Sequence, residues 1–252
     1  MSKRQRVALL SVDRLAKSFS DAAGTKRLFD DLSFELAPRD RLAVLGRNGQ
    51  GKSTLIKILG GVMAPTSGKI RWRGRSSWPL GFGGAFQGGL TGVDNIRFIA
   101  RIYGRAFDEI AEKVDEFAEL GEQLYIPVKH YSAGMRARLA FGLSLAIEFD
   151  CYLIDEVMAV GDGNFRDKCE RELFHHRGDR AFIMASHDLH FIRGHCTRAL
   201  VIESGRTKLF EDVDLAVDIY QSLCEPSSGE FIEVRPLPAS PARLLHSHAA
   251  AG

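Results

Sequence analysis

Residues 46–54 read Gly-Arg-Asn-Gly-Gln-Gly-Lys-Ser-Thr, directly after the apolar run Leu42-Ala43-Val44-Leu45. No other stretch of the chain restricts its fold as strongly. The spacing of Gly46, Gly51, Lys52 and Ser53 is that of a phosphate-binding loop. In such a loop backbone N–H groups cradle phosphates, the lysine reaches the β and γ groups, and the hydroxyl ligates magnesium. Glycines let the backbone close around the anion. The predicted loop runs through Gly46, Arg47, Asn48, Gly49, Gln50, Gly51, Lys52, Ser53 and Thr54. The stretch Thr54–Leu59 predicts a helix ending at Gly60-Gly61, with its N-terminal dipole facing the same phosphates. A plain glycine turn is the competing reading. The full match of spacing, set between a strand and a helix, weighs against it.

At 252 residues and 45% hydrophobic composition the chain can bury a sizeable core, as one large domain or two small ones. Lysine and arginine total 34 against 32 acids, a net charge of +2 that gives no strong field for nucleic acid. Cys151, Cys169, Cys196 and Cys224 lie far apart with no C-x-x-C pair, so neither a zinc knuckle nor a disulfide framework is indicated. Reduced thiols in a cytosolic protein are the expectation. The basic start around Lys3, Arg4 and Arg6 precedes an apolar stretch, Val7 to Val12, too short for a signal peptide. No run approaches the ~18 apolar residues that span a bilayer, so any membrane role needs another chain.

Val7 to Val12, Leu32 to Leu36 and Lys69 to Trp72 read as strands of a small β layer, bounded by the turns Pro38-Arg39-Asp40 and Pro65-Thr66-Ser67-Gly68. Residues 81–89 are too rich in glycine for regular structure, and Phe86 stands where a dinucleotide fingerprint would need its third glycine. From Thr91 to about Leu120 apolar residues recur at helical spacing, and a second helix follows Ser132 with Met135, Leu139, Leu143, Ala146 and Ile147 on its core side. An all-helical insertion over about 90–147 is predicted. Cys151–Ile154 and Ala181–Ala185 are short apolar strands that end in Asp155-Glu156 and Ser186-His187. Strands that deliver polar residues at their carboxyl ends, separated by helices, predict a mostly parallel sheet with its ligand at those ends. Half of the eight prolines fall after residue 225, which makes 226–252 an expected flexible tail; Phe231 to Val234 is placed to add an edge strand.

Asp155-Glu156 has a definite use beside a phosphate loop. An acid at the end of an apolar strand helps hold Mg²⁺ with the loop hydroxyl. Asp155 takes that role with Ser53, and Glu156 is placed to orient or deprotonate the water that attacks the γ-phosphate. The histidine pairs His175-His176 and His246/His248 lack acid or cysteine partners at ligand spacing and read as surface and tail residues. Trp72 and Trp78 read as packing residues of the β layer and of the loop after it.

The loop GRNGQGKST, the downstream YSAGM, the strand CYLIDE and the dipeptide Ser186-His187 occur in the order and approximate spacing of the ATP-binding cassette ATPases, and over residues 6–224 the chain resembles that family. The resemblance implies an α/β P-loop fold: a RecA-like, mostly parallel sheet with an antiparallel β layer and an all-helical subdomain, the whole cassette spanning 1–225. It implies ATP and Mg²⁺ as ligands. Phe19 matches the aromatic that stacks on adenine, a place more often held by tyrosine. Gln87 matches the glutamine that touches Mg²⁺ and relays nucleotide state to a membrane subunit. Tyr131 to Met135 match a signature normally written LSGGQ, of which Ser132 and Gly134 contact the γ-phosphate held by the other subunit of a head-to-tail dimer. Asp162 matches the aspartate of the loop that crosses the dimer interface, and His187 the histidine that pins the γ-phosphate. Lys52, Glu156 and His187 are then the catalytic residues, with Ser53, Gln87 and Asp155 around the metal.

Departures from the family pattern narrow the subgroup. Ala133 replaces the second signature glycine, Met135 replaces glutamine, and AVGD replaces SALD. With residues 77–104 these resemble the ATPases of capsular-polysaccharide exporters and, more distantly, of O-antigen and teichoic-acid exporters. The implied partners are a second copy of the chain and an integral-membrane permease, with the glycan recognised by the permease and no nucleic acid. The implied location is the cytoplasmic face of the inner membrane. A tail of 27 residues is shorter than the ~50 needed for a carbohydrate-binding domain. A soluble cassette without a membrane partner is the competing class, but the chain has one phosphate loop and neither a coiled-coil nor a zinc insertion. A pure binding module would have lost hydrolysis, whereas Lys52, Asp155, Glu156 and His187 are all present.

Overall fold

The computed structural model describes residues 7–21, 24–80, 86–155 and 163–224. Nine strands among these residues form two sheets. The smaller sheet is antiparallel, in the order β2 (Gly24–Leu36), β1 (Leu10–Asp21), β4 (Ser67–Trp72). The larger runs β5 (Ser76–Leu80), β6 (Cys151–Asp155), β7 (Ala181–Ala185), β3 (Arg41–Leu45), β8 (Arg198–Glu203), β9 (Arg206–Phe210), parallel except for the β8–β9 hairpin. This is the expected mostly parallel core with an antiparallel layer.

Both faces of the large sheet are covered at its centre, so the central strands β6, β7 and β3 are buried almost throughout rather than alternating. Along β3, Leu42 and Val44 face a core shared with the small sheet and helix α1 (Lys52–Leu59), while Ala43 and Leu45 face the other helices. That second layer contains α2 (Gly92–Ile102), α3 (Phe107–Ala118) and α4 (Ala133–Ala146). The stretch expected to be helical over 91–120 is broken at Gly104, whose φ of 63° no longer continues a right-handed helix. The second half of helix α4 is buried on every side, residues 139–146 all lying inside the core. Three more helices follow: α5 (Gly163–Glu170), extended by a π-helical turn to His176, then α6 (Leu189–His195) and α7 (Val213–Cys224).

Local pattern left some elements unread. β1 starts three residues later than expected and runs to Asp21, and β2 begins at Gly24 rather than near Leu32. Trp78, expected in a loop, lies in β5, with its ring 5.4 Å from that of Phe149 in an edge-on contact. Pro79 follows it in the same strand, which is tolerated because β5 is the edge of the sheet. Trp72 is in the β layer, its Nε1–H donating to Leu59 O at 3.1 Å. The glycines at 81–85, Glu156 to Asp162 and the tail from 225, with its expected edge strand, lie outside the described residues.

Candidate nucleotide-binding site

Adjacent parallel strands bring the predicted residues to one edge of the sheet. β3 lies next to β7, with Val44 paired to Ala185, and β7 lies next to β6, with Asp155 paired to Ala185. The chain therefore delivers the phosphate loop, Asp155 and Ser186-His187 side by side at the carboxyl ends. Ser53, on the first turn of α1, donates from Oγ to Asp155 Oδ1 at 2.8 Å.

The loop is folded by its glycines. Gly49 and Gly51 hold φ of 79° and 110°, and a Cβ on Gly46 would lie 2.5 Å from the carbonyl oxygen of Ile202. Lys52 is only 6% exposed. Its Nζ donates to Gly46 O at 2.7 Å and to Arg47 O at 3.4 Å, so the ammonium sits beneath the arch of the loop. An ammonium held by backbone carbonyls is poised to exchange them for phosphate oxygens. Arg47 and Gln50 send their side chains the other way. Arg47 pairs with Glu203, which raises its pKa, and Gln50 Oε1 accepts from Ser204 N at 2.9 Å. What these two offer an anion is backbone N–H.

A cavity of about 540 Å³ opens over the loop, lined by Asn48, Gly49, Gly51, Lys52, Ser53, Thr54, Phe19 and His187, with Lys26 and Leu28 from β2. That size suits a nucleotide. Phe19 is 44% exposed on β1, with Lys17 Nζ 4.7 Å from its ring centroid. His187 is exposed just beyond β7.

Gln87, Ser132 and Gly134 are not among the residues that line this cavity. Gln87 is exposed, but its backbone is fixed by Asn95, a 1%-exposed side chain whose Oδ1 accepts from Gln87 N at 2.9 Å and whose Nδ2 donates to Gln87 O at 3.2 Å. Ser132 caps α4, accepting from Met135 N at 3.1 Å, and stays exposed. Tyr131 anchors the segment: burial raises its pKa, and its hydroxyl donates to Gln123 O at 2.6 Å. Glu156 and Asp162 lie outside the described residues. The sequence reading missed Asn95, Lys26 and Leu28. A buried asparagine inside an amphipathic helix was the available signal for the first; the other two are brought to the loop only by strand pairing.

Comparison with known proteins agrees with this geometry. Residues 29–159 match the family model described as ABC transporter. The chain is 51% identical over 215 residues to the capsule polysaccharide export ATP-binding protein CtrD of Neisseria meningitidis, covering 85% of this chain and 100% of that one. It is 50% identical over 212 residues to the ATP-binding protein BexA of Haemophilus influenzae, covering 84% and 98%. The fold is shared with a dimeric ATP-binding cassette solved in a post-hydrolysis state with ADP and phosphate, at a TM-score of 0.68 and 16% identity over 81% of this chain and 98% of that one. With Lys52 under a phosphate loop, Ser53 on Asp155 and a family match across more than half its length, the chain belongs to the ABC transporter family.

Proposed function

We propose that this chain is the ATP-hydrolysing subunit of an exporter that moves capsular polysaccharide across the cytoplasmic membrane. For the chemistry the carrying observation is the 2.8 Å bond between Ser53 and Asp155 beside Lys52. The cargo reading rests on the likeness over 215 residues, the full length of the relative, to a capsule polysaccharide export protein.

ATP enters with its base against Phe19 and its phosphates in the loop, where backbone N–H groups and Lys52 take the β and γ oxygens. A hydroxyl and a carboxylate are hard oxygen donors that would suit Mg²⁺. Ser53 and Asp155 would hold the ion, with Gln87 as the third residue placed to contact it. The ion would supply neutralisation of phosphate charge. Glu156, next after Asp155, orients a water whose oxygen attacks the γ-phosphorus. The bond from that phosphorus to the β–γ bridging oxygen breaks, ADP and phosphate leave, and the water's proton passes to the carboxylate. His187 holds the γ-phosphate in line.

One loop leaves a side of the γ-phosphate open to water. A second copy closes it by presenting Ser132 and Gly134 at the exposed N-terminus of α4, with Asp162 at the crossing between protomers. ATP thereby joins the dimer and hydrolysis releases it. Among the described residues no helix is long and apolar enough to cross a membrane. The motion is accordingly passed to a separate permease, which contacts the cargo, and the chain works at the cytoplasmic face of the membrane. Residues 1–225 form the ATPase unit, and deleting 226–252 leaves hydrolysis intact.

The test is a cell whose only copy carries Glu156→Gln. Finished polysaccharide held inside, with purified variant that still binds ATP, is the expected result. A normal surface coat at wild-type protein level overturns the cargo reading, and near-wild-type turnover removes Glu156 as base.

A further inference from the structure

Lys26 is a second cation in the cavity over the phosphate loop. It stands on β2 with its Cα paired to that of Phe19 on β1, so the two side chains leave the same face of the small sheet. From there the lysine reaches across to the loop. A methyl group placed on Gly49 would lie 3.9 Å from Lys26 Nζ, and no other heavy atom would come within 4 Å of it. The ammonium therefore hangs over the outer arch of the loop, while Lys52 fills the arch from beneath. Among the described residues no carboxylate makes an ion pair with Lys26.

These placements constrain a bound nucleotide. Its base is at the Phe19 end of the cavity and its terminal phosphates are at Lys52 and Ser53. The ribose and the phosphate attached to it must then pass between the small sheet and Gly49, which is where Lys26 Nζ lies. We infer that Lys26 binds the α-phosphate of the nucleotide. This assignment rests on the nucleotide-site reading above. It divides the work between two lysines: Lys52 reads the β- and γ-phosphates, the second of which only ATP carries, and Lys26 reads the α-phosphate, which ATP and ADP share. A flexible ammonium on a four-carbon stem suits such a point contact with a diester-like phosphate.

The test is calorimetric titration of the full chain with MgATP and MgADP at two salt concentrations, for wild type, Lys26→Met, Lys26→Arg and Lys52→Ala. Lys26→Met is expected to weaken ATP and ADP by the same factor, about fivefold to twentyfold, as for loss of one partly solvated charge-assisted hydrogen bond. Its salt dependence should be shallower than that of wild type, a change that loss of packing would not produce. Lys26→Arg should restore affinity. Unchanged affinity in Lys26→Met overturns the inference, as does a loss confined to ATP, which would place the contact on the γ-phosphate. Full binding by Lys52→Ala would instead sink the nucleotide-site reading itself, so the two failures are distinguishable.

Discussion

Ser53 Oγ lies 2.8 Å from Asp155 Oδ1, a hydrogen bond between residues 102 positions apart in the chain. It joins the start of α1 to the end of β6 across the intervening strand β7 and places a hydroxyl and a carboxylate where they can share one cation. Asp155→Asn keeps an oxygen to accept the Ser53 bond but removes the charge. Magnesium-dependent ATP hydrolysis should fall by at least about 100-fold, as expected when several kcal/mol of ion-mediated charge stabilisation is lost. A magnesium titration of turnover checks it, and a profile like that of wild type would remove Asp155 from the metal site.

Gly46 has no room for a side chain, because a Cβ would meet the backbone carbonyl of Ile202 at 2.5 Å. Backbone on β8 cannot swing aside as a side-chain tip can. Gly46→Ala should cost about 1–3 kcal/mol in urea unfolding, in the range of overpacked sites, and should weaken ATP binding because the loop must shift. Retention of both stability and affinity would show that the loop tolerates displacement.

Asn95 satisfies the backbone of Gln87 on both its N–H and its carbonyl while almost wholly buried. Asn95→Ala strands those groups, at a cost of about 1–3 kcal/mol. Since Gln87 is the residue proposed to report nucleotide state, the variant should also hydrolyse ATP with little response to the permease. Comparing turnover of the isolated chain with that of the assembled transporter separates the two effects.

The thiols should differ sharply in reactivity. Burial raises the pKa of Cys151 and lifts those of Cys169 and Cys196 to about 12, whereas Cys224 is exposed. Thiolate is the reactive form, so a raised pKa keeps the three buried groups protonated and inert at pH 8. An aromatic disulfide reagent should label one thiol per native chain quickly and four after unfolding. Fast labelling of two or more in the native protein would show that the core opens readily.

Much of the loop was legible because its chemistry is local. Three glycines, a lysine and a hydroxyl lie within eight residues, and the strand before and helix after them carry their own periodic signal. The strand ends at Asp155 and His187 were legible for the same reason: an apolar run stops at polar residues. Trp78 and Pro79 show where that reasoning fails. Two serines and a proline spoil the pattern of a strand, and only pairing with β6 at the sheet edge makes Ser76–Leu80 one. β8 likewise owes its place to pairing with β3, and β9 to pairing with β8.

The sequence by itself determined the glycine-rich loop, the acid that ends β6 and the apolar strands, since each depends on residues near one another in the chain. Tertiary structure decided how they meet. The order β6-β7-β3 sets Asp155 beside Ser53, and the pairing of β1 with β2 brings Lys26 beside Phe19. Side-chain direction was settled there as well. Arg47 and Gln50 sit in the loop motif yet turn to Glu203 and Ser204, because the β8–β9 hairpin offers a carboxylate and a backbone N–H on that side. Such contacts arise from non-local packing, which no short window of sequence encodes.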